Sequence, residues 1–316
     1  MTFTQKMKVF ELKPFMESIF AIQGSSAELI KVLQELKLEV DLPGIDAKEL
    51  NLSFSKNTLT LSRKGDIEEK STRTEPGNIV AKSANTKVAL GLADSMARTA
   101  DPVVIYGENG TGKTLFARTI HQKGPRSKQP FVCFPCGVVE IDGVEQQIID
   151  LLAELGSGTL YFDEIQDLDV DTQEVLYEII HNPVSQKTFR VITATSVDLD
   201  SLVQKGEFSA DLWTLLQGCY IELLPLRERK DEIEVLVTFY LKQLCQRRGL
   251  EPKKISPEVM NILEAYRWPG NVRELVNTLE QLLSMAQEKK TLFAKDLPAH
   301  IRIQTIESSA AQKKGL

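Results

Sequence analysis

Residues 107–114 read Gly107-Glu108-Asn109-Gly110-Thr111-Gly112-Lys113-Thr114, which follows the pattern G-x-x-x-x-G-K-[ST]. A glycine-rich turn of this kind, placed between a strand and a helix, aims backbone N–H groups and a helix dipole at one point, which suits phosphate. Lys113 would reach the β- and γ-phosphates, and the Thr114 hydroxyl would coordinate Mg²⁺. Forty-nine residues after Thr114, the apolar run Leu160-Tyr161-Phe162 ends in Asp163-Glu164. Asp163 would hold the metal through its water shell, and Glu164 would polarise an attacking water. The chemistry these residues could do is to bind ATP or GTP with Mg²⁺, and to hydrolyse it if the rest of the site allows.

The elements that must position them are legible nearby. Val103–Tyr106 reads as a strand into the loop, and a helix follows through about His121. A helix near 84–99 precedes them. Strand 131–134, a helix near 143–155, strand 159–162, a helix near 172–181 and strand 190–194 come after. Strands alternating with helices argue for a parallel sheet covered on both faces. From Asp231 onward the pattern is helical only, with Asp231-x-x-Glu234, Ser256-Pro257 and Asn271 as expected helix starts. Leu275, Leu279, Leu282 and Leu283 fall on one side of the last helix.

The first part of the chain differs. Residues 1–24 show no firm period. Ser25-x-x-Glu28 opens a helix bearing Leu29, Ile30, Val32, Leu33 and Leu36. The period then changes to two, in Leu50, Leu52 and Phe54, with a turn at Lys56-Asn57 and a second run at Leu59 and Leu61. Residues 64–78 are charged and polar and contain Pro76-Gly77, which marks a linker. The expected organisation is a small α+β segment over 1–65, a linker over 66–78, an α/β core over 79–229, a helical lid over 230–303 and a polar tail over 304–316.

Bulk properties exclude some classes. The 11 basic and 12 acidic residues up to Glu75, and the 27 and 32 beyond it, give no basic nucleic-acid footprint. No signal peptide and no apolar run of about 18 residues is present, so a cytoplasmic protein without a membrane span is expected. Cys133-x-x-Cys136 has redox-motif spacing, but ordinary thiols are the expectation in a reducing compartment.

Six blocks resemble one family in order and spacing. They are GENGTGKT (107–114), GSGTLYFDEI (156–165), RVITATSVDLD (190–200), FSADLW (208–213), LPLRERKDEI (224–233) and WPGNVREL (268–275). Together they are similar to the sigma-54 interaction AAA+ domain of bacterial enhancer-binding transcription regulators, over about residues 77–303. The resemblance implies an α/β AAA+ P-loop core with a C-terminal helical lid, ATP and Mg²⁺ as ligands, and a ring of about six subunits. It also implies that Ser196 and Arg273 lie near the γ-phosphate, Arg273 as the lid arginine.

The departures from the family pattern concern coupling and hydrolysis. The loop with a Gly-Ala-Phe-Thr-Gly-Ala tip, which grips the sigma factor, has no counterpart in the 26 residues 137–162. Two arginines that reach into a neighbouring subunit's site fall on Ser209 and Leu215. The asparagine that restrains the catalytic glutamate falls on Pro135, and the sensor asparagine falls on Ser196. The expectation is therefore an ATP-binding regulatory protein with little or no hydrolysis of its own, acting through a protein partner such as an intact activator or itself. The alternatives are an active ATPase remodelling another client, and a binding module in which nucleotide is structural.

Two further expectations concern the ends. The 18 residues after Pro298 are too few for a three-helix DNA-binding module, so sequence-specific DNA binding is not expected. Residues 39–65 resemble the opening strands of a small heat-shock (alpha-crystallin) domain, in DLPGID followed by NTLTLS, with any short β-hairpin module as the plainer reading. An exposed hairpin edge there could pair with a partner strand.

Overall fold

The computed structural model describes residues 5–8, 50–55, 58–63, 79–138, 148, 151–152, 155–182, 188–286 and 289–303. The chain divides into two compact units, Met1–Glu75 and Pro76–Leu316.

In the first unit three strands are described: β1 (Gln5–Lys8), β2 (Leu50–Ser55) and β3 (Thr58–Arg63). They form an antiparallel sheet in the order β1-β3-β2. The register sets Leu52 opposite Leu61 and Phe54 opposite Leu59, so the expected hairpin is present. Strand β1 lies where no period was legible, and the helix expected from Ser25 lies outside the described residues.

The second unit is built on a five-stranded parallel sheet. Its strands are β4 (Val103–Tyr106), β5 (Phe131–Pro135), β6 (Thr159–Asp163), β7 (Arg190–Thr195) and β8 (Tyr220–Glu222). The order is β5-β6-β7-β4-β8. The inner strands β4, β6 and β7 are buried on both sides, which explains their continuous apolar runs. Period two still sorts the side chains. Val103, Ile105, Tyr161 and Ile192 pack against α1 (Ala84–Met96) and α2 (Lys113–Lys123) through Ala89, Ala93, Phe116 and Ile120. Val104, Leu160, Phe162 and Val191 face the opposite layer, which includes Leu176 and Ile180 of α3 (Val170–His181). That layer also holds α4 (Leu199–Lys205) and α5 (Ala210–Leu216).

Strand β4 sits between β7 and β8, away from its sequence neighbour β5. The carboxyl ends of β4, β6 and β7 therefore meet beside the phosphate loop. A crevice at that edge is where open α/β sheets hold ligands.

Beyond the sheet, α6 (Ile233–Arg247), α7 (Pro257–Ala265) and α8 (Asn271–Met285) pack around their own core. Leu275, Leu279, Leu282 and Leu283 of α8 are fully buried there, as the leucine spacing predicts, alongside Trp268. Ser256 caps α7 as expected, accepting from Val259 N at 3.4 Å, with Pro257 at the first helical position.

Three details differ from the sequence reading. The region is not purely helical, because β9 (Lys254–Ile255) and β10 (Thr291–Leu292) form a short parallel pair. Asp231 does not cap α6; it lies in a 3-10 turn, Lys230–Glu232, and no side chain caps that helix. Asn271 is the first residue of α8 rather than its cap, and its side chain is committed elsewhere.

Candidate functional site: a phosphate loop under a helical lid

Strand β4 ends at Tyr106, and the chain crosses Gly107–Gly112 before α2 begins at Lys113. Gly110 and Gly112 hold φ values of 82° and 110°, which L-residues rarely adopt. A Cβ on Gly110 would run into the Gly270 carbonyl, so the loop and the lid touch backbone to backbone. Gly112 gives α2 no side-chain cap, which leaves its opening N–H groups for a ligand.

A cavity of about 530 Å³ opens here, between the loop, the end of β6 and the lid. Asn109, Gly110, Gly112, Lys113 and Thr114 line it from the loop side, and Asp163 and Glu164 from β6. Tyr240, Val272, Arg273, Val276 and Asn277 line it from α6 and α8. Thus most sequence-predicted residues converge on one space. Gly107, Glu108, Thr111 and Ser196 do not line it; Gly107, Glu108 and Ser196 brace residues that do, and Thr111 braces Glu108.

Lys113 is nearly buried. Its Nζ donates to Gly107 O at 2.7 Å and pairs with Glu164 Oε1 at 2.7 Å. Glu164 accepts on its other oxygen from Ser196 Oγ at 2.6 Å and Gln166 Nε2 at 2.8 Å. Burial alone would raise the pKa of Glu164, but the bonds from Lys113, Ser196 and Gln166 outweigh it and hold the carboxyl below its ordinary range. Glu164 is thus an ionised carboxylate with three donors. Its φ of 58° is left-handed, a strain of the kind that collects at functional sites.

Asp163 accepts from the Tyr161 hydroxyl at 2.7 Å. Thr114 Oγ1 lies 3.4 Å from the same hydroxyl. The two oxygens expected to face Mg²⁺ are therefore gathered at one point, from two motifs 49 residues apart. This donor set, a hydroxyl and a carboxylate beside a phosphate cradle, suits a hard cation.

The loop is coupled to the lid through polar bonds. Glu108 receives both guanidinium arms of Arg227, at 2.8 and 2.7 Å, and Asn271 Nδ2 at 3.1 Å. The Arg227 bonds keep its carboxyl below the usual range. Asn271 also donates to Asn109 O at 3.0 Å and accepts from Leu226 N at 2.7 Å. The Arg273 N–H reaches Gly110 O at 3.3 Å, so the lid arginine is anchored to the loop by its backbone. Trp268 and Asn271, where the chain passes from α7 into α8, share the left-handed conformation with Glu164.

Arg229 carries the coupling deeper. It donates to Thr111 O at 3.0 Å and to Glu232 Oε2 at 3.0 Å. Glu232 accepts in turn from the N–H groups of Lys82 and Ser83, at 3.1 and 3.0 Å, where α1 begins.

The positions aligned with the family's arginines serve the fold. Ser209 is the N-cap of α5, accepting from Leu212 N at 3.3 Å, and its N–H donates to Gln173 at 2.8 Å. Leu215 packs against the apolar layer of the sheet. Pro135 stands in register beside Asp163 at the edge of the site. Sequence reasoning missed Gln166, Tyr161, Glu232 and Asn271 as site-bracing groups. Gln166 holds Glu164 from two residues further along the chain, and only that place pointed to it. The Cys133 thiol is pushed by burial up to about 11, and Cys136 is raised further by the same cause. Both are free, and neither is a reactive thiolate at neutral pH.

Comparison with known proteins agrees with the geometry. Residues 81–226 match the sigma-54 interaction domain, and residues 227–314 match the AAA+ ATPase lid domain. Residues 81–314 of the chain thus belong to the sigma-54 interaction AAA+ family. Two relatives are the nitrogen fixation protein VnfA of Azotobacter vinelandii and the DNA-binding transcriptional regulator NtrC of Escherichia coli. VnfA is 30% identical over 77% of this chain and 51% of its own length. NtrC is 30% identical over 74% and 55%. The chain thus spans about half the length of the curated relatives it matches. Among solved structures, NtrX of Brucella abortus in complex with ATP superposes with a TM-score of 0.66 at 25% identity, over 96% of this chain and 72% of that one. NtrX in complex with ADP gives 0.65 at 26% identity, over 88% and 61%. No helix among the described residues is long and apolar enough to cross a membrane.

Proposed function

We propose that this chain is a Mg-ATP-binding regulator of transcription that works through assembly with a protein partner and hydrolyses ATP weakly or not at all by itself. The observation that carries the reading is a division within the site. The groups that would hold nucleotide converge on one cavity: the Gly107–Thr114 loop, Asp163 and Arg273. The positions from which the family reaches into a neighbour's site are given instead to a helix cap, Ser209, and to core packing, Leu215. Arginine fingers supply on the order of 10³–10⁵ in rate, and neither residue has the charge to replace one.

In this reading the α2 N-terminus and Lys113 bind the phosphates, and Thr114 and Asp163 hold Mg²⁺, which would offset the charge of the β- and γ-oxygens. Ser196 sits at the γ-phosphate end and positions Glu164. A phosphate oxygen that takes the place of Glu164 at Lys113 would free the Glu164 carboxylate for water. Glu164 would be the catalytic base in whatever turnover occurs. Support for ATP comes from the NtrX complex, and support for a regulatory role comes from VnfA and NtrC. The cytoplasm is the compartment that fits such relatives. The protein partner is an arginine-bearing member of the same family, joined in a mixed assembly, and direct sequence-specific DNA contact by this chain is not part of the reading.

A titration tests the partner claim. Adding this chain to an arginine-bearing relative should change that relative's ATP turnover by several-fold, through mixed assemblies. Turnover unchanged at a tenfold molar excess would reject it.

A further inference from the structure

We infer that Tyr161 is a positioning residue for the cation, tying together the two side chains expected to hold it. This rests on the Mg-ATP reading above. Thr114 lies in the first turn of α2 and Asp163 closes β6, so they come from different elements. The Tyr161 hydroxyl donates to Asp163 Oδ1 at 2.7 Å and stands 3.4 Å from Thr114 Oγ1. One hydroxyl thus reaches both side chains.

The ring and the hydroxyl answer to different demands. The ring is fully buried, stacks on Phe131 with centroids 5.8 Å apart, and packs with Phe116 and Ile120 beneath α2. A phenylalanine would meet all of that. The hydroxyl adds nothing to packing and would cost free energy if left unpaired in such a place. Its partner is a carboxylate at the mouth of the cavity, so it has a use only there.

The consequences for the carboxylate follow. With Oδ1 held by the phenol, the Asp163 carboxylate cannot swing freely, which leaves Oδ2 to a cation. The contact with Thr114 is too long for a strong O–H···O bond, so the Thr114 hydroxyl remains able to turn to a cation. Partners of this kind, behind the ligands themselves, typically change metal affinity by about 10–100-fold when removed.

The experiment is titration calorimetry of ATP against the full chain, with and without Mg²⁺, for wild type and Tyr161→Phe. Direct Mn²⁺ binding in the presence of ATP, read by paramagnetic resonance, is the second measurement. In wild type, Mg²⁺ should strengthen ATP binding. In Tyr161→Phe, metal-free ATP affinity should stay within twofold, while the gain from Mg²⁺ and the Mn²⁺ affinity should fall about tenfold. An Asp163→Asn background should remove the effect of Tyr161→Phe, because the hydroxyl acts through that carboxylate. Equal metal dependence in wild type and Tyr161→Phe would overturn the inference and leave the Mg-ATP reading standing. No metal dependence in wild type would overturn both. Loss of metal-free ATP binding in Tyr161→Phe would show that the hydroxyl shapes the loop rather than the cation site, and would also overturn the inference.

Discussion

Lys113→Ala is expected to weaken ATP binding on the order of 100-fold, which is about 2.7 kcal/mol. The ammonium of Lys113 lies inside the loop, held by the Gly107 carbonyl and by Glu164, each at 2.7 Å. It is thus already placed where the phosphates would arrive. Alanine removes the charge-assisted bonds to phosphate, worth roughly 1.5–3 kcal/mol. It also leaves the Glu164 carboxylate without its cation, and that negative charge would then face the polyphosphate. Calorimetric titration of ATP into the full chain checks this. A loss under threefold would mean that nucleotide does not bind in this cavity.

Glu232→Ala is expected to destabilise the fold by about 3–5 kcal/mol, through the loss of a buried partner. Glu232 is fully buried, and its carboxylate receives Arg229 on one oxygen and the Lys82 and Ser83 N–H groups on the other. Removing it strands the Arg229 guanidinium and two backbone donors in the interior. For a unit of this size the thermal midpoint should fall by about 6–20 °C. The effect should spread to function, because Arg229 also holds the Thr111 carbonyl of the phosphate loop. Arg229→Ala should cost a similar amount, and the double variant less than the sum of the two. Thermal unfolding of the three variants checks this. A loss below about 1 kcal/mol for Glu232→Ala would contradict the pairing.

The core was legible because its signals are local and strong. Val103–Tyr106 and Leu160–Phe162 are apolar runs ended by chemistry-bearing residues, and the chain between them alternates between helix and strand. The α8 leucines repeat at helical spacing and are buried as that spacing requires. Strand β8 is three residues long, and its pairing with β4 depends on a partner more than a hundred residues away. Helices α4 and α5, of seven residues each, are too short to show a period. The two misread caps share a cause. Asn271 has a cap-forming side chain, but Glu108 and the Leu226 N–H claim it from distant parts of the chain. Asp231 stands one residue ahead of the cap position, in a 3-10 segment whose neighbour Glu232 is drawn into the interior by Arg229.

The candidate site was legible as a list of residues and not as a network. The motif names Lys113, Thr114, Asp163 and Glu164. It does not say that Glu164 rests on Lys113, or that Ser196 and Gln166 hold its other oxygen. Those bonds arise because β4, β6 and β7 are neighbours in the sheet, and strand order is not written in any local pattern. Tyr161 reads in the sequence as one more apolar strand residue, and only its hydroxyl, at the carboxyl end of β6, brings it into the site.

The most direct test of the central claim measures ATP affinity and steady-state ATP turnover on the same preparation of the full chain, with Lys113→Ala and Glu164→Gln beside it. The account predicts Mg-ATP binding that Lys113→Ala loses, with turnover no greater than that of Glu164→Gln. Turnover on the order of 1 s⁻¹ that Glu164→Gln abolishes would be ordinary enzyme behaviour and would contradict it.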